Sequence, residues 1–168
     1  MLTTQIGLRN IKTSLSVVLC ILLFQGIHRP YPFYACIAAV ICTQSTVDRS
    51  FKSGMDRLIG TAIGGFLGMF LCFLQETLPF FVLHALLTGI GIMLTIFICN
   101  AIGRNGACSI GCIVISAIMT NLKDVPYTLY AFNRMLDTFI GIIIALLINK
   151  YFFTRYSKEQ EKLNDIPR

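Results

Sequence analysis

Long apolar segments separated by short polar turns dominate this sequence of 168 residues. Six segments can be drawn, at residues 13–28, 33–46, 58–74, 78–99, 106–120 and 129–153. A helix needs about 20 apolar residues to cross the hydrocarbon core of a bilayer. The second and fifth segments are short, and the first and third need flanking residues to reach this length. The pattern predicts an all-α membrane protein with six transmembrane helices.

A motif repeats in the two halves of the chain. The run that starts at Arg57 reads Arg-Leu-Ile-Gly-Thr-Ala-Ile-Gly, and 77 positions later the run that starts at Arg134 reads Arg-Met-Leu-Asp-Thr-Phe-Ile-Gly. Each copy begins a long apolar segment and follows a shorter one that opens with Ala-Cys. Because each half has three crossings, the second half enters the membrane from the opposite side. We therefore predict two three-helix inverted repeats.

The composition favours one membrane domain. Hydrophobic residues make up 55% of the chain and charged residues 13%, whereas soluble domains are nearer a quarter charged. We predict a six-helix transmembrane domain over residues 1–153, with halves at about 5–74 and 78–153. A short cytoplasmic tail at 154–168 follows it.

Basic residues predict the orientation. If all six segments cross from a cytoplasmic N-terminus, all 14 lysines and arginines except Arg29, Lys123 and Arg134 lie inside. This bias predicts that both termini are cytoplasmic, and no small-residue cleavage site follows the first apolar segment. We expect a multi-pass protein of the bacterial inner membrane. The net charge of +6 does not indicate nucleic-acid binding, because these basic residues lie where orientation requires them.

Charged and polar side chains near the ends of apolar segments are the candidate binding residues. Arg57 and Arg134 begin their segments, and Thr61 and Thr138 lie one turn deeper on the same helix faces. Asp137 follows Arg134 by three positions, within reach of an ion pair. A guanidinium stays charged and recognises a carboxylate through two parallel hydrogen bonds. We therefore predict an organic-anion site at these five positions.

Each candidate also has a purely structural explanation. Arg57 can be the last residue of the positive-inside cluster, and Arg134 can form only a local ion pair with Asp137. Asp56 is expected to be a solvated charge in an inside turn at 48–56. The polar run 43–46 either lines a mouth of the pathway or bonds backbone carbonyls.

Small residues predict close helix packing. Gly60, Gly64 and Gly68 recur every four positions in the third segment, and Gly141 and Ala145 are the counterparts in the sixth. Such ladders let another backbone approach closely. The seven cysteines lie inside apolar segments without a Cys-x-x-Cys pair, and no nucleophile–base motif is present. We therefore expect no metal site, no cofactor and no catalytic residues.

At these residues the sequence resembles the aromatic acid exporter and fusaric-acid-resistance (FUSC) type of integral membrane protein. The resemblance rests on the run Arg-Leu-Ile-Gly-Thr-Ala-Ile-Gly-Gly from Arg57 and on the preceding Pro-Phe-Tyr-Ala-Cys-Ile-Ala-Ala-Val segment. The opening Gly7-Leu-Arg-Asn-Ile-Lys12 and the second motif copy fit as well, so about residues 5–153 are covered. The resemblance implies a dimeric transport protein that exports aromatic carboxylates or similar organic anions.

Two functions remain open at this point. The first is a transporter or channel for organic anions, with the bilayer, a second copy of the chain and the anion as partners. The alternative is a small membrane scaffold or assembly subunit without transport of its own, which the glycine ladder would suit. An enzyme is disfavoured because the necessary motifs are missing.

Overall fold

The computed structural model describes residues 8–77, 81–121 and 126–164, and these residues form six helices and no strand. The helices are α1 (Leu8–Gly26), α2 (Phe33–Cys42), α3 (Val47–Thr77), α4 (Phe81–Ala101), α5 (Asn105–Asn121) and α6 (Tyr127–Asn164). The predicted all-helical class and the order of six helices are confirmed. Within these described ranges, three stretches are long and apolar enough to cross a membrane, at Val47–Gln75, His84–Ala101 and Thr128–Tyr151.

Some helix boundaries differ from the prediction. The polar stretch 48–56, predicted as a turn, belongs to α3. Thr46 caps this helix, because its hydroxyl accepts a hydrogen bond from the N–H of Arg49 at 3.3 Å. The turn lies instead at 43–46, which the prediction assigned to the second segment. An apolar run indicates only the part of a helix that is suited to lipid. The backbone hydrogen bonds of the helix can continue beyond that part.

The sixth helix is longer than its apolar segment. α6 ends at Asn164 and therefore runs into the stretch 154–168, which the sequence analysis expected to be a short tail. The polar residues after 153 do not interrupt a helix, because Lys, Glu and Gln are strong helix formers.

Contacts divide the chain into two compact units, which we call unit 1 and unit 2. Unit 1 contains Met1–Gly54 and Phe139–Arg168, and unit 2 contains Met55–Thr138. The two units do not coincide with the two sequence halves, because α3 and α6 each contribute residues to both units.

In unit 2, α3 approaches α5 closely, and α5 also packs against α4. A Cβ added to Gly60 would lie 2.5 Å from the carbonyl oxygen of Ala107, and one added to Gly64 would lie 2.5 Å from that of Gly111. Gly68 faces the side chain of Ile118 one turn further on. The glycines therefore let two helix backbones touch.

Unit 1 has a similar contact between α6 and α2. Gly141 lies against the carbonyl group of Ala35 and the Cβ of Ala38. Ala145 is fully buried one turn later on α6. In each unit, small residues of a long helix thus pack on the short, apolar helix of the other sequence half.

Several large aromatic side chains are exposed, whereas four charged side chains are buried among the described residues, namely Lys12, Arg57, Arg134 and Asp137. Phe66, Phe70 and Phe73 on α3 and Phe97 on α4 are each more than 60% exposed. Soluble proteins rarely expose contiguous apolar surface of this kind. The distribution fits a protein whose apolar surface contacts lipid.

Candidate functional site

The five predicted binding residues all belong to unit 2 and are all buried. Their exposed fractions are 6% for Arg57, 3% for Thr61, 6% for Arg134, 5% for Asp137 and 1% for Thr138. Charged side chains inside apolar helices are costly and commonly mark functional positions. Unit 2 therefore buries two guanidinium groups and one carboxylate.

On α3, the polar and small residues share one face. Arg57, Thr61 and Gly64 follow each other at spacings of four and three, which aligns them along the helix. Gly64 contacts the backbone of Gly111 on α5. The polar residues of α3 therefore lie on the helix face that packs against α5.

On α6, Arg134 is oriented by an aromatic residue one turn earlier. Its Nη1 donates a hydrogen bond to the Tyr130 hydroxyl at 2.9 Å, and its Cζ lies 6.0 Å from the centroid of the same ring. Tyr130 packs against a cluster formed by Val114, Ile118 and Ala131. Tyr130 was not among the predicted site residues, although its spacing of four residues from Arg134 was a usable signal.

Replacing Tyr130 with Phe removes the hydroxyl that accepts from Arg134 and keeps the ring. We expect Tyr130→Phe to lower the free energy of unfolding by about 1.5–3 kcal/mol, the range for a hydrogen bond to a charged group. The thermal midpoint of the purified protein in detergent measures this effect. Tyr31→Phe is the matched control, because Tyr31 is 79% exposed, and it should leave the midpoint unchanged. Equal midpoints for both variants would contradict the orienting role of Tyr130.

The expectation for Asp56 was wrong. Its side chain is only 14% exposed, and Arg104 Nη1 donates to its Oδ1 at 3.3 Å. The carboxylate also lies close to Gly106, in the first turn of α5, where the helix dipole favours negative charge. Asp56 is not solvated because α3 begins at Val47 and presents this residue to α5.

A second buried polar cluster lies in unit 1, and sequence analysis did not identify it. Lys12 Nζ donates to Asn149 Oδ1 at 3.0 Å. Asn149 Nδ2 donates to Ser50 Oγ at 2.8 Å and to the Thr46 carbonyl at 3.0 Å. The available signal was an asparagine inside the apolar run of the sixth segment.

The polar run at 43–46 is used mainly for backbone hydrogen bonds. Thr43 Oγ1 donates to the Ala39 carbonyl at 2.8 Å, and Gln44 Nε2 donates to the Ile41 carbonyl at 2.7 Å. The polar run was expected either to line a mouth of the pathway or to bond backbone carbonyls. Thr43 and Gln44 bond backbone carbonyls.

The long apolar helices, the exposed aromatic side chains and the buried charged side chains are those of an integral membrane protein. The family described as "Aromatic acid exporter family member 1" matches residues 4–152. The chain belongs to this family, as its resemblance predicted.

Curated relatives come from bacteria. The chain is 29% identical over 168 residues to a UPF0421 protein of Staphylococcus aureus strain USA300, covering 95% of this chain and 47% of the relative. It is 27% identical over 146 residues to a UPF0421 protein of Staphylococcus saprophyticus, covering 86% and 42%. A UPF0421 protein of Halalkalibacterium halodurans is 26% identical over 144 residues, with 86% and 38% covered. The chain thus spans less than half the length of these relatives. No solved structure gave a significant match.

Proposed function

We propose that this chain moves organic anions across a membrane and that aromatic carboxylates are exported. The observation that carries the proposal is the burial of Arg57 and Arg134 inside unit 2 of a member of an exporter family. Buried ionisable residues in membrane helices commonly line substrate pathways.

The charges of unit 2 suit a substrate with one carboxylate. Two guanidinium groups and the carboxylate of Asp137 give a formal charge of +2 − 1 = +1 for the three buried side chains. One bound carboxylate would neutralise the remaining charge, and a guanidinium offers it two parallel donors. Thr61 and Thr138 add hydroxyl groups one turn away. In this proposal Asp137 keeps the empty site from carrying two uncompensated charges.

The proposal includes a topology. Six helices cross the membrane as two inverted repeats, with both termini in the cytoplasm of a bacterium and the protein in its inner membrane. The short helices α2 and α5 support this arrangement, because short segments at corresponding places of two halves are typical of transport folds. We also propose that the working unit is a homodimer.

The alternative of a scaffold without transport loses its main support. The ladder of Gly60, Gly64 and Gly68 contacts α5 of the same chain. It is therefore used for internal packing, and a partner protein is not needed to explain it.

Transport of benzoate by the purified protein in liposomes tests the proposal. We expect wild-type protein to release entrapped benzoate faster than the double variant Arg57→Ala, Arg134→Ala, by at least tenfold, because both guanidinium groups are lost. Arg134→Lys should give an intermediate rate, since it keeps the charge and loses the planar pair of donors.

Arg49→Ala is the matched control for this experiment. Arg49 is an exposed arginine of α3, so its loss should leave the benzoate rate unchanged. Elution of each variant as folded protein must be verified before reconstitution. A folded double variant that releases benzoate as fast as wild type would rule out the proposed role of the two arginines.

A further inference from the structure

The side chain of Lys12 is buried with little to balance its charge. Lys12 is 8% exposed, and lysine is almost never buried without a partner. Among the side chains that the structure describes, its ammonium has one hydrogen-bond acceptor, Asn149 Oδ1 at 3.0 Å, and that acceptor is neutral. Since an ammonium carries three N–H donors, two of them are not used by these side chains.

The described groups that hold Asn149 beside this ammonium are neutral. Both known bonds of Asn149 Nδ2, to Ser50 Oγ and the Thr46 carbonyl, hold the amide so that Oδ1 faces Lys12. Ser50 Oγ also accepts from the Gln44 N–H at 3.0 Å. Ser50 and Asn149 are fully buried. The cluster can orient the ammonium, but it contributes no negative charge.

The hydroxyl groups of Ser16 on α1 and Thr43 at the end of α2 extend this cluster. Ser16 Oγ donates to the Lys12 carbonyl at 2.8 Å and lies 3.2 Å from Thr43 Oγ1. Both hydroxyl groups are fully buried. The backbone of α1 at Lys12 is therefore tied to the end of α2, which fixes the position from which the lysine side chain extends.

We propose that Lys12 and Asn149 form an anion-binding site in unit 1 that takes the carboxylate of a small monoanion. A buried charge without a counter-charge is strongly unfavourable, and the two remaining N–H donors can bind carboxylate oxygens. A single carboxylate matches the single positive charge, whereas a phosphate dianion would leave excess negative charge. This site lies in unit 1, whereas Arg57 and Arg134 lie in unit 2. The proposal of this site does not depend on the proposed transport.

Calorimetric titration of benzoate into the full chain in phosphatidylcholine nanodiscs tests this site. In the background Arg57→Ala, Arg134→Ala we expect saturable benzoate binding to remain. Adding Lys12→Met to that background should weaken it at least tenfold. Lys52→Met is the matched control, because Lys52 is exposed on α3, and it should change nothing. Binding that persists at full strength after Lys12→Met, or that is absent before it, overturns the proposal.

A second variant keeps the test decisive if Lys12→Met does not fold. Asn149→Asp places a carboxylate where a neutral oxygen now lies 3.0 Å from the ammonium, so the protein supplies the anion itself. We expect this variant to bind one benzoate fewer per chain than wild type, and an unchanged number contradicts the site. Titrations with inorganic phosphate and with phosphatidylglycerol in the discs identify the ligand. If either displaces benzoate from wild type and not from Asn149→Asp, the site takes a phosphate group and the carboxylate assignment is wrong.

Discussion

Gly64→Leu is expected to prevent the protein from folding. A Cβ at this position would lie 2.5 Å from the carbonyl oxygen of Gly111, and 3.0 Å from both the Cα of Gly111 and the Cβ of Val114. Two of these atoms belong to the backbone of α5, so no side-chain rotation can make room. α3 and α5 must separate, and overpacking of this kind costs about 3 kcal/mol or more. The fraction of detergent-extracted protein that elutes as a single folded species measures the effect.

Gly89→Leu provides the matched control for this prediction. Gly89 lies on α4, and an added Cβ meets no atom within 4 Å. The same side chain there should leave the yield of folded protein unchanged, or raise it slightly, because leucine is a better helix former than glycine. If Gly64→Leu also gave a normal yield, the close approach of α3 to α5 would be incorrect.

The sequence was sufficient to predict the all-helical class and the order of the six helices. The spacing of Gly60, Gly64 and Gly68 indicated a close contact of α3, but it did not identify the partner. That partner is α5, which comes from the other sequence half. A ladder of small residues indicates that some backbone comes near, and only the tertiary structure determines which one.

Helix boundaries were harder to predict than helix order. The polar residues 48–56 were predicted to form a turn, because apolar character was the only signal from which helices were predicted. The capping hydroxyl of Thr46 and the acidic first-turn residue Asp48 were available as start signals. Recognising them would also have placed Asp56 on a helix and made its contact with Arg104 accessible to prediction.

The Lys12 cluster shows the limit of prediction from local pattern. Lys12 and Asn149 are 137 positions apart, and neither belongs to the repeated motif. A lysine next to an apolar segment is typical of the positive-inside rule. Lys12 was therefore interpreted as one of the basic residues that determine the orientation. The burial of Lys12 depends on how α1 and α6 pack within unit 1. No periodicity in the sequence predicts this packing.

Asn149→Leu is expected to destabilise the protein by about 3 kcal/mol. Leucine has a similar size but accepts no hydrogen bond, so the ammonium of Lys12 would lose the acceptor that lies 3.0 Å away. Hydrogen bonds to charged groups contribute about 1.5–3 kcal/mol. The variant also leaves Ser50 Oγ and the Thr46 carbonyl without the amide donor. Reversible unfolding in mixed detergent micelles measures the change in the free energy of unfolding.

A double-mutant cycle with Lys12→Met separates the charge from the rest of the cluster. Methionine removes the ammonium and keeps an unbranched apolar side chain, so Asn149→Leu should then cost only the bonds to Ser50 and Thr46. We expect the cost of Asn149→Leu to fall by about 2 kcal/mol in the Lys12→Met background, a coupling typical of residues in one hydrogen-bond network. Equal costs in both backgrounds would mean that the ammonium does not depend on Asn149. The expected fall of about 2 kcal/mol would show that Asn149 holds a buried charge in place, which a fixed anion site in unit 1 requires.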